Sequence, residues 1–312
     1  MSERPRLLFC GGTPRGLAVL RRLVADGAPL VGVYAFEQDA HEHHRVEAEI
    51  HQLATEAGVP CRTVRTIGPE EERQILAELQ PDLALVIGWR TMIPMSVINA
   101  APLGWIGAHD SLLPRGRGFA PTNWAVILGH DAGGVTLMHL AAGVDDCDVV
   151  DQRRIPLGPR TTAPELYDAV TEATVELVAD HLPALLTGAA PRTAQRHEDA
   201  TYFCARTPED GEIDWHAPTA TIDRLIRGLT YPYPGAWTTL HGQRLGIWQA
   251  EPVAPTVRYE GAVPGRVVAR HEDGAVDVLT GDGVLRLRNV GDHDSRVPAA
   301  NALRSVKETL GR

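Results

Sequence analysis

The sequence predicts an α/β protein with a doubly wound, mostly parallel sheet, followed by a smaller β-rich domain. Strands and helices alternate along residues 1–190, and the unbroken apolar run Leu83-Ala84-Leu85-Val86-Ile87 is typical of a parallel strand covered on both faces. Residues 191–203 are small and polar, which predicts a linker. Over residues 204–312, short strands meet at turns rich in glycine and aspartate, a pattern that predicts a small barrel or sandwich.

The elements of the first domain follow from its apolar runs and turn residues. Predicted strands cover residues 6–9, 30–35, 82–87, 104–108, 135–140 and 149–156. Helices are predicted after the glycine-rich turn at 11–16, after the second strand to about residue 57, from Pro69 onward, over 122–128, and from Thr162 onward. Thr162 and Glu165 have the spacing of a capping box, in which each side chain bonds to the other residue's amide.

The second domain is predicted from alternating apolar residues. The stretch 236–248 turns at His241-Gly242, and further strands are predicted at 263–269, 275–279 and 284–290. A terminal helix is predicted over 299–310, ended by Gly311.

Composition and charge exclude several classes of protein. No apolar run approaches the roughly 18 residues of a membrane span, so a cytoplasmic protein with no membrane contact is expected. The net charge is −10, and residues 1–200 hold 17 Lys and Arg against 26 Asp and Glu. Lys307 is the only lysine. Because cations must neutralise phosphates in nucleic-acid binding, this charge argues against a tRNA partner.

A histidine-rich segment follows the second predicted strand. His41, His43 and His44 stand beside acidic residues but do not share one helical face. A solvated loop, or a loop that contacts substrate, is therefore favoured over a metal site, and no resident metal is predicted. The four cysteines form no CxxC pair and indicate reduced thiols.

The main motif lies between residues 107 and 145. His109 is followed by Ser111-Leu112-Leu113-Pro114, Arg117-Gly118 and Asn123-Trp124, and Asp145 comes 36 residues after the histidine. The pattern resembles the signature of the 10-formyltetrahydrofolate-dependent formyltransferases, Asn-x-His-x-Ser-Leu-Leu-Pro-x-Tyr-Arg-Gly with a later Asp. The likeness continues in Gly211-Glu212-Ile213-Asp214-Trp215 and so spans nearly the whole chain. It implies a Rossmann-like catalytic domain over 1–190 and an OB-like barrel over 204–312.

The resemblance implies the site residues. His109 would be the catalytic base and Asp145 its carboxylate partner, since formyl transfer to an amine needs a proton acceptor and donors for a developing oxyanion. The residues expected to hold 10-formyltetrahydrofolate, the formyl donor, are Ile87, Gly88, Trp89, Arg90, Ala142 and Gly143. The residues expected in the substrate loop are Ser111, Leu113, Arg115, Arg117 and Asn123.

Gly107 departs from the family pattern, because it stands where the family carries its Asn. The family's Asn is understood to donate its amide to the oxyanion, which glycine cannot do, and losing such a donor can cost about a hundredfold to a thousandfold in rate. A water or backbone amide could fill the space, the glycine could admit a different donor or a bulkier substrate, or the chain could bind without catalysis. Gly116 also replaces the family's usual Tyr.

The sequence therefore favours an N-formyltransferase acting on a primary amine of a small molecule. A nucleotide-linked amino sugar or an amino-acid-derived precursor suits the acidic charge. The alternatives are a methionyl-tRNA formyltransferase, a catalytically impaired folate- or ligand-binding homologue, and a folate hydrolase. The identity of the amine and the oligomeric state are left open.

Overall fold

The computed structural model describes residues 5–38, 45–68, 70–255 and 257–312. Contacts divide the chain into two units. The first comprises Met1–Gly118, Gly134–Ile155 and Asp168–Phe203, and the second comprises Phe119–Gly133, Pro156–Tyr167 and Cys204–Arg312. Residues 191–203, predicted as a linker, thus belong to the first unit.

The first unit is built on a seven-stranded sheet. Its strands are β1 (Leu7–Gly11), β2 (Leu30–Phe36), β3 (Cys61–Val64), β4 (Leu83–Ile87), β5 (Trp105–His109), β7 (Ala132–His139) and β8 (Val149–Pro156), in the order β3-β2-β1-β4-β5-β7-β8. β1 to β5 pair in parallel, and β7 pairs antiparallel to β5. The predicted mostly parallel sheet is confirmed. A separate parallel pair joins β6 (Arg117–Gly118) to β9 (Tyr202–Phe203).

Helices alternate with the strands as predicted. They are α1 (Pro14–Ala25), α2 (Glu47–Glu56), α3 (Glu70–Leu79), α4 (Met95–Ile98), α5 (Pro121–Leu128) and α6 (Ala163–Leu186). The Thr13 side chain accepts a hydrogen bond from the amide of Gly16 and so caps α1. The capping box before α6 is present, since Thr162 N donates to the Glu165 carboxylate (2.8 Å) and Glu165 N to the Thr162 hydroxyl (3.4 Å).

The second unit contains an antiparallel sheet, in the region where the β-rich domain was predicted. Its strands are β10 (Ala236–Leu240), β11 (Gln243–Val253), β12 (Val267–Arg270), β13 (Val276–Leu279), β14 (Val284–Asp292) and β15 (Ser295–Pro298), in the order β10-β11-β14-β13-β12 with β15 on β14. The helix α7 (Thr219–Leu229) was not predicted. It buries Ile222, Ile226 and Leu229 against the core of this sheet. Closure into a barrel stays a prediction.

The predicted terminal helix is wrong beyond its first turn. Only α8 (Ala299–Ala302) is helical. The chain then returns to the sheet, where Leu310 N donates to Gly265 O (2.8 Å) and Gly311 N to Thr239 O (2.9 Å). In these long-range hydrogen bonds, the backbone amides donate to the sheet and not to carbonyls within a helix.

Two negative findings hold for the described residues only. No helix there is long and apolar enough to cross a membrane, and no group of three His, Cys, Asp or Glu could hold a metal ion. The histidines at 41, 43 and 44 lie outside the described residues. A cytoplasmic location stays a prediction.

Candidate active site

His109 is the last residue of β5, and its buried ring has one contact on each nitrogen. Nε2 lies 2.8 Å from the carbonyl oxygen of Gly116. A carbonyl can only accept, so we assign the proton to Nε2, which leaves Nδ1 as the basic nitrogen of the neutral ring. Nδ1 lies 3.5 Å from Oδ1 of Asp145. The basic nitrogen of the histidine therefore lies beside the carboxylate.

Asp145 reaches His109 because its loop folds back along the sheet. β7 runs antiparallel to β5, and its last residue, His139, lies opposite Ile106. Ile106 is three residues before His109, or ~10 Å along the strand. The loop of residues 140–145 covers this distance. Asp145 has a left-handed backbone (φ +53°), and its carboxylate accepts a 2.9 Å hydrogen bond from the amide of Gly118. The sequence predicted this pair, and the structure brings it together.

Burial and nearby charges set the protonation of the histidine. Burial lowers the pKa of His109 below its ordinary value of 6.5. The Asp145 carboxylate and the Gly116 carbonyl oppose this effect, and the positive charge of Arg15 adds to it. The ring is therefore neutral, and available as a base, at neutral pH.

An ion pair lies beside the histidine. Asp110 follows His109 directly, and its carboxylate contacts the guanidinium of Arg15, at the start of α1. The two side chains are only 14% and 7% exposed. The pair neutralises a carboxylate that would otherwise repel a developing oxyanion.

We expect Arg15→Met to lower the free energy of unfolding by about 3–5 kcal/mol, because it leaves the buried charge of Asp110 without its partner. Chemical denaturation measures this change. The double variant Arg15→Met/Asp110→Leu removes both charges and should recover most of the loss. A single variant as stable as the parent would show that solvent already screens Asp110.

The space over Gly107 is occupied by an apolar side chain. A Cβ placed on Gly107 would lie 2.8 Å from Cδ2 of Leu140. Gly107 and His109 share one face of β5, since strand residues alternate. An oxyanion donor at this point would have to come from another residue or from water.

We expect Gly107→Asn to fold, because the colliding atom is the end of a flexible leucine, at a cost of about 1–3 kcal/mol. The double variant Gly107→Asn/Leu140→Ala makes room for the amide and should keep or raise the formylation rate. The thermal midpoint must be measured beside the rate. If this folded double variant loses turnover, Gly107 makes room for a different substrate, and the reaction does not follow the family's route.

Four of the residues predicted to hold the donor, Ile87 to Arg90, lie at the end of β4, next to β5. Ile87 is buried, and Gly88 has a left-handed backbone (φ +72°). The Trp89 ring meets Phe36 edge-on (5.1 Å between centroids), and Arg90 lies over the same ring (5.8 Å). Ala142 is exposed and Gly143 half-buried, in the loop that leads to Asp145.

The predicted substrate-loop residues differ in what they contact. Arg115 is exposed, Leu113 is buried, and the Ser111 hydroxyl donates to Arg115 O (2.7 Å). Arg117 is 2% exposed, and its guanidinium donates to Gln195 and Tyr202. In the second unit, Asn123 Nδ2 donates to Gly228 O (2.8 Å). Arg115 is the exposed residue of the five, and a substrate role for each of them stays a prediction.

Sequence reasoning missed three contributors to the site. These are Arg15, the main chain of Gly116 and Gly118, and Gln195. Glycine at 116 and 118 was a usable signal, since both have positive φ values (72° and 95°). Arg15 and Gln195 gave no local signal, because their partners lie far away in sequence.

A buried His–Asp pair at the end of a central strand defines a class of enzyme that moves a proton during group transfer. Comparison with known proteins identifies the group. Residues 17–182 match the family "Formyl transferase", and residues 206–307 match "Formyl transferase, C-terminal domain". The chain belongs to the formyl transferase family and is a formyltransferase-family enzyme.

Individual relatives agree with this assignment. The methionyl-tRNA formyltransferase of Marinobacter nauticus is 32% identical over 300 residues, covering 96% of this chain and 95% of the relative. That of Symbiobacterium thermophilum is 36% identical over 291 residues (92% and 88%). The structure of an N-formyltransferase from Helicobacter canadensis, complexed with folinic acid and dTDP-3-aminofucose, is similar in fold (TM-score 0.69, 14% identity, 91% and 98% covered).

Proposed function

We propose that this enzyme transfers a formyl group from 10-formyltetrahydrofolate to the α-amino group of methionyl-tRNA. The observation that carries formyl transfer is the basic Nδ1 of His109 facing Asp145 at 3.5 Å. The acceptor is supported by the two relatives named above, which carry that activity in their names and align over nearly their whole length.

His109, Asp145 and Gly116 have different roles in proton transfer. As the amine nitrogen bonds to the formyl carbon, its excess proton passes to Nδ1 of His109. The resulting imidazolium is stabilised by the Asp145 carboxylate, while the Gly116 carbonyl holds Nε2–H and fixes the ring. When the bond from the formyl carbon to the folate nitrogen breaks, the proton returns from His109 to that nitrogen.

We infer that the folate ring of the donor binds at the end of β4, beside the His109–Asp145 pair. The donor supplies the formyl carbon, already activated for attack by an amine. Ile87, Gly88 and Trp89 would hold its flat heterocycle, since the β4 end offers backbone groups at a glycine beside an aromatic ring pair. Because β4 pairs directly with β5, a ring bound there lies next to the strand that carries His109.

A second candidate acceptor is the amine of a small molecule, which the sequence alone favoured. The excess of acidic residues over 1–200 and the single lysine support it, because tRNA binding needs cations. The two full-length relatives outweigh this argument, and we rank methionyl-tRNA first.

The acceptor is tested by comparing kcat/KM for methionyl-tRNA with kcat/KM for free methionine and nucleotide-linked amino sugars, following tetrahydrofolate release. We expect methionyl-tRNA to exceed each small amine by at least about a hundredfold, with a steep decline as salt increases. A small amine that matches or exceeds methionyl-tRNA would establish the second candidate.

A further inference from the structure

The buried side chain of Gln195 connects two loops of the site. One loop contains Arg117, and the other contains Asp145 and Cys147. The amide oxygen of Gln195 accepts from Nη2 (2.7 Å) and Nε (3.2 Å) of Arg117. Its amide nitrogen donates to the carbonyl oxygens of Asp145 (2.9 Å) and Cys147 (2.7 Å). The partners fix the orientation of the amide, because a guanidinium can only donate and a carbonyl can only accept.

These contacts close a ring of residues that includes Asp145. Arg117 is bonded covalently to Gly118, whose amide holds the carboxylate of Asp145. Gln195 holds the main chain of the same aspartate. Asp145 has a left-handed backbone, which aspartate adopts more readily than most residues other than glycine. Gln195 holds the carbonyl oxygen of Asp145 and Gly118 holds its carboxylate, so main chain and side chain are both fixed.

Gln195 is itself held on both sides. Before it, Thr193 exchanges two backbone hydrogen bonds with Val149 (2.8 and 2.9 Å). After it, the Thr201 hydroxyl accepts from the amide of Gly116 (2.9 Å), and Tyr202 accepts from Arg117 (2.9 Å). The segment that carries Gln195 is thus hydrogen-bonded to the loop that contains Gly116 and Arg117, and also to β8. These bonds fix the position of the Gln195 amide.

We propose that Gln195 is a positioning residue for formyl transfer, which holds the backbone of Asp145 so that its carboxylate faces Nδ1 of His109. The proposal rests on the proposed function of that pair. It assigns to residues 191–203 a part in building the site, beyond connecting two domains.

The sharpest variant is Gln195→Glu, which keeps the length of the side chain. A glutamate still accepts from Arg117 but presents an acceptor to the carbonyls of Asp145 and Cys147. The hydrogen bonds to these two carbonyls are therefore lost. We expect kcat to fall at least tenfold, with KM for donor and acceptor changed less than twofold. Gln52→Glu, the same change on the exposed face of α2, should leave both constants unchanged. A folded Gln195→Glu enzyme with kcat within twofold of the parent would overturn the proposal.

A second measurement needs no substrate. NMR titration of the His109 ring should give a lower midpoint in Gln195→Met than in the parent, because the carboxylate moves away from the ring. In the Asp145→Asn background, Gln195→Met should cause no further shift, since there is no carboxylate left to displace. Equal shifts in both backgrounds, or none in either, would show that Gln195 does not act through Asp145. Because this readout is independent of turnover, it separates failure of the positioning role from failure of the proposed function.

Discussion

We expect His109→Ala to reduce kcat by roughly a hundredfold to ten thousandfold, the usual contribution of a positioned acid–base group. Among the described residues, His109 is the histidine at the carboxyl end of a central strand with a carboxylate facing its basic nitrogen. The variant loses that proton acceptor, and a carboxylate is a much weaker base than an imidazole. Turnover is measured as formylated product per enzyme at saturating donor and acceptor.

The matched control is His216→Ala, at an exposed histidine of the second unit, which should retain parent activity. Circular dichroism and the thermal midpoint establish that both variants are folded. If folded His109→Ala keeps more than about a tenth of parent kcat, a loss under ~1.4 kcal/mol, then His109 is not the base.

The second large effect is expected from Asp145→Asn, with a loss in kcat on the order of a hundredfold. Asn tolerates the left-handed backbone, and its amide oxygen can still accept from Gly118, so the fold should be kept. The imidazolium of His109 loses its stabilising carboxylate. Donor binding, measured by fluorescence or calorimetry, should change little.

The same variant should shift the pH profile of kcat/KM. Activity requires neutral His109, so the acid limb follows the pKa of that ring, which burial places below 6.5. Because Asp145 raises this pKa, its removal should move the acid limb to still lower pH. An upward shift, or a large loss of donor binding, would assign Asp145 a different role.

The sequence predicted the first sheet because its signal is local, and it predicted the His109–Asp145 pair through the resemblance to a family signature. The run at 83–87 is apolar without a break, and His109 and Asp145 sit in motifs of fixed spacing. The geometry that joins the pair was not predictable in the same way. It depends on β7 running antiparallel, which no residue in that strand encodes by itself.

The segment 191–203 shows why local composition can mislead. Its small and polar residues are typical of a linker, yet Gln195 bonds to residues 78 and 50 positions away. Such contacts exist only once the fold has formed. The terminal segment fails for the same reason, since its helical pattern gives way to sheet hydrogen bonds at Gly265 and Thr239.

Gly107 could be recognised as a departure but not explained from sequence. A missing side chain leaves space for a water, a substrate group or a neighbour, and only the fold shows that Leu140 lies there. The acceptor was a harder case, because net charge is a property of the whole surface. It argued for a small amine, whereas aligned relatives support methionyl-tRNA.

We expect the enzyme to move a formyl group to an amine with His109 as the base. The most direct test follows 10-formyltetrahydrofolate carrying a ¹³C-labelled formyl group by mass spectrometry, with methionyl-tRNA as acceptor. We predict that the label appears as an amide on the methionine nitrogen, in equal amount to the tetrahydrofolate released, and that both products fall together in His109→Gln. Label released as formate, or label that stays on the folate while the protein binds it, would contradict the account.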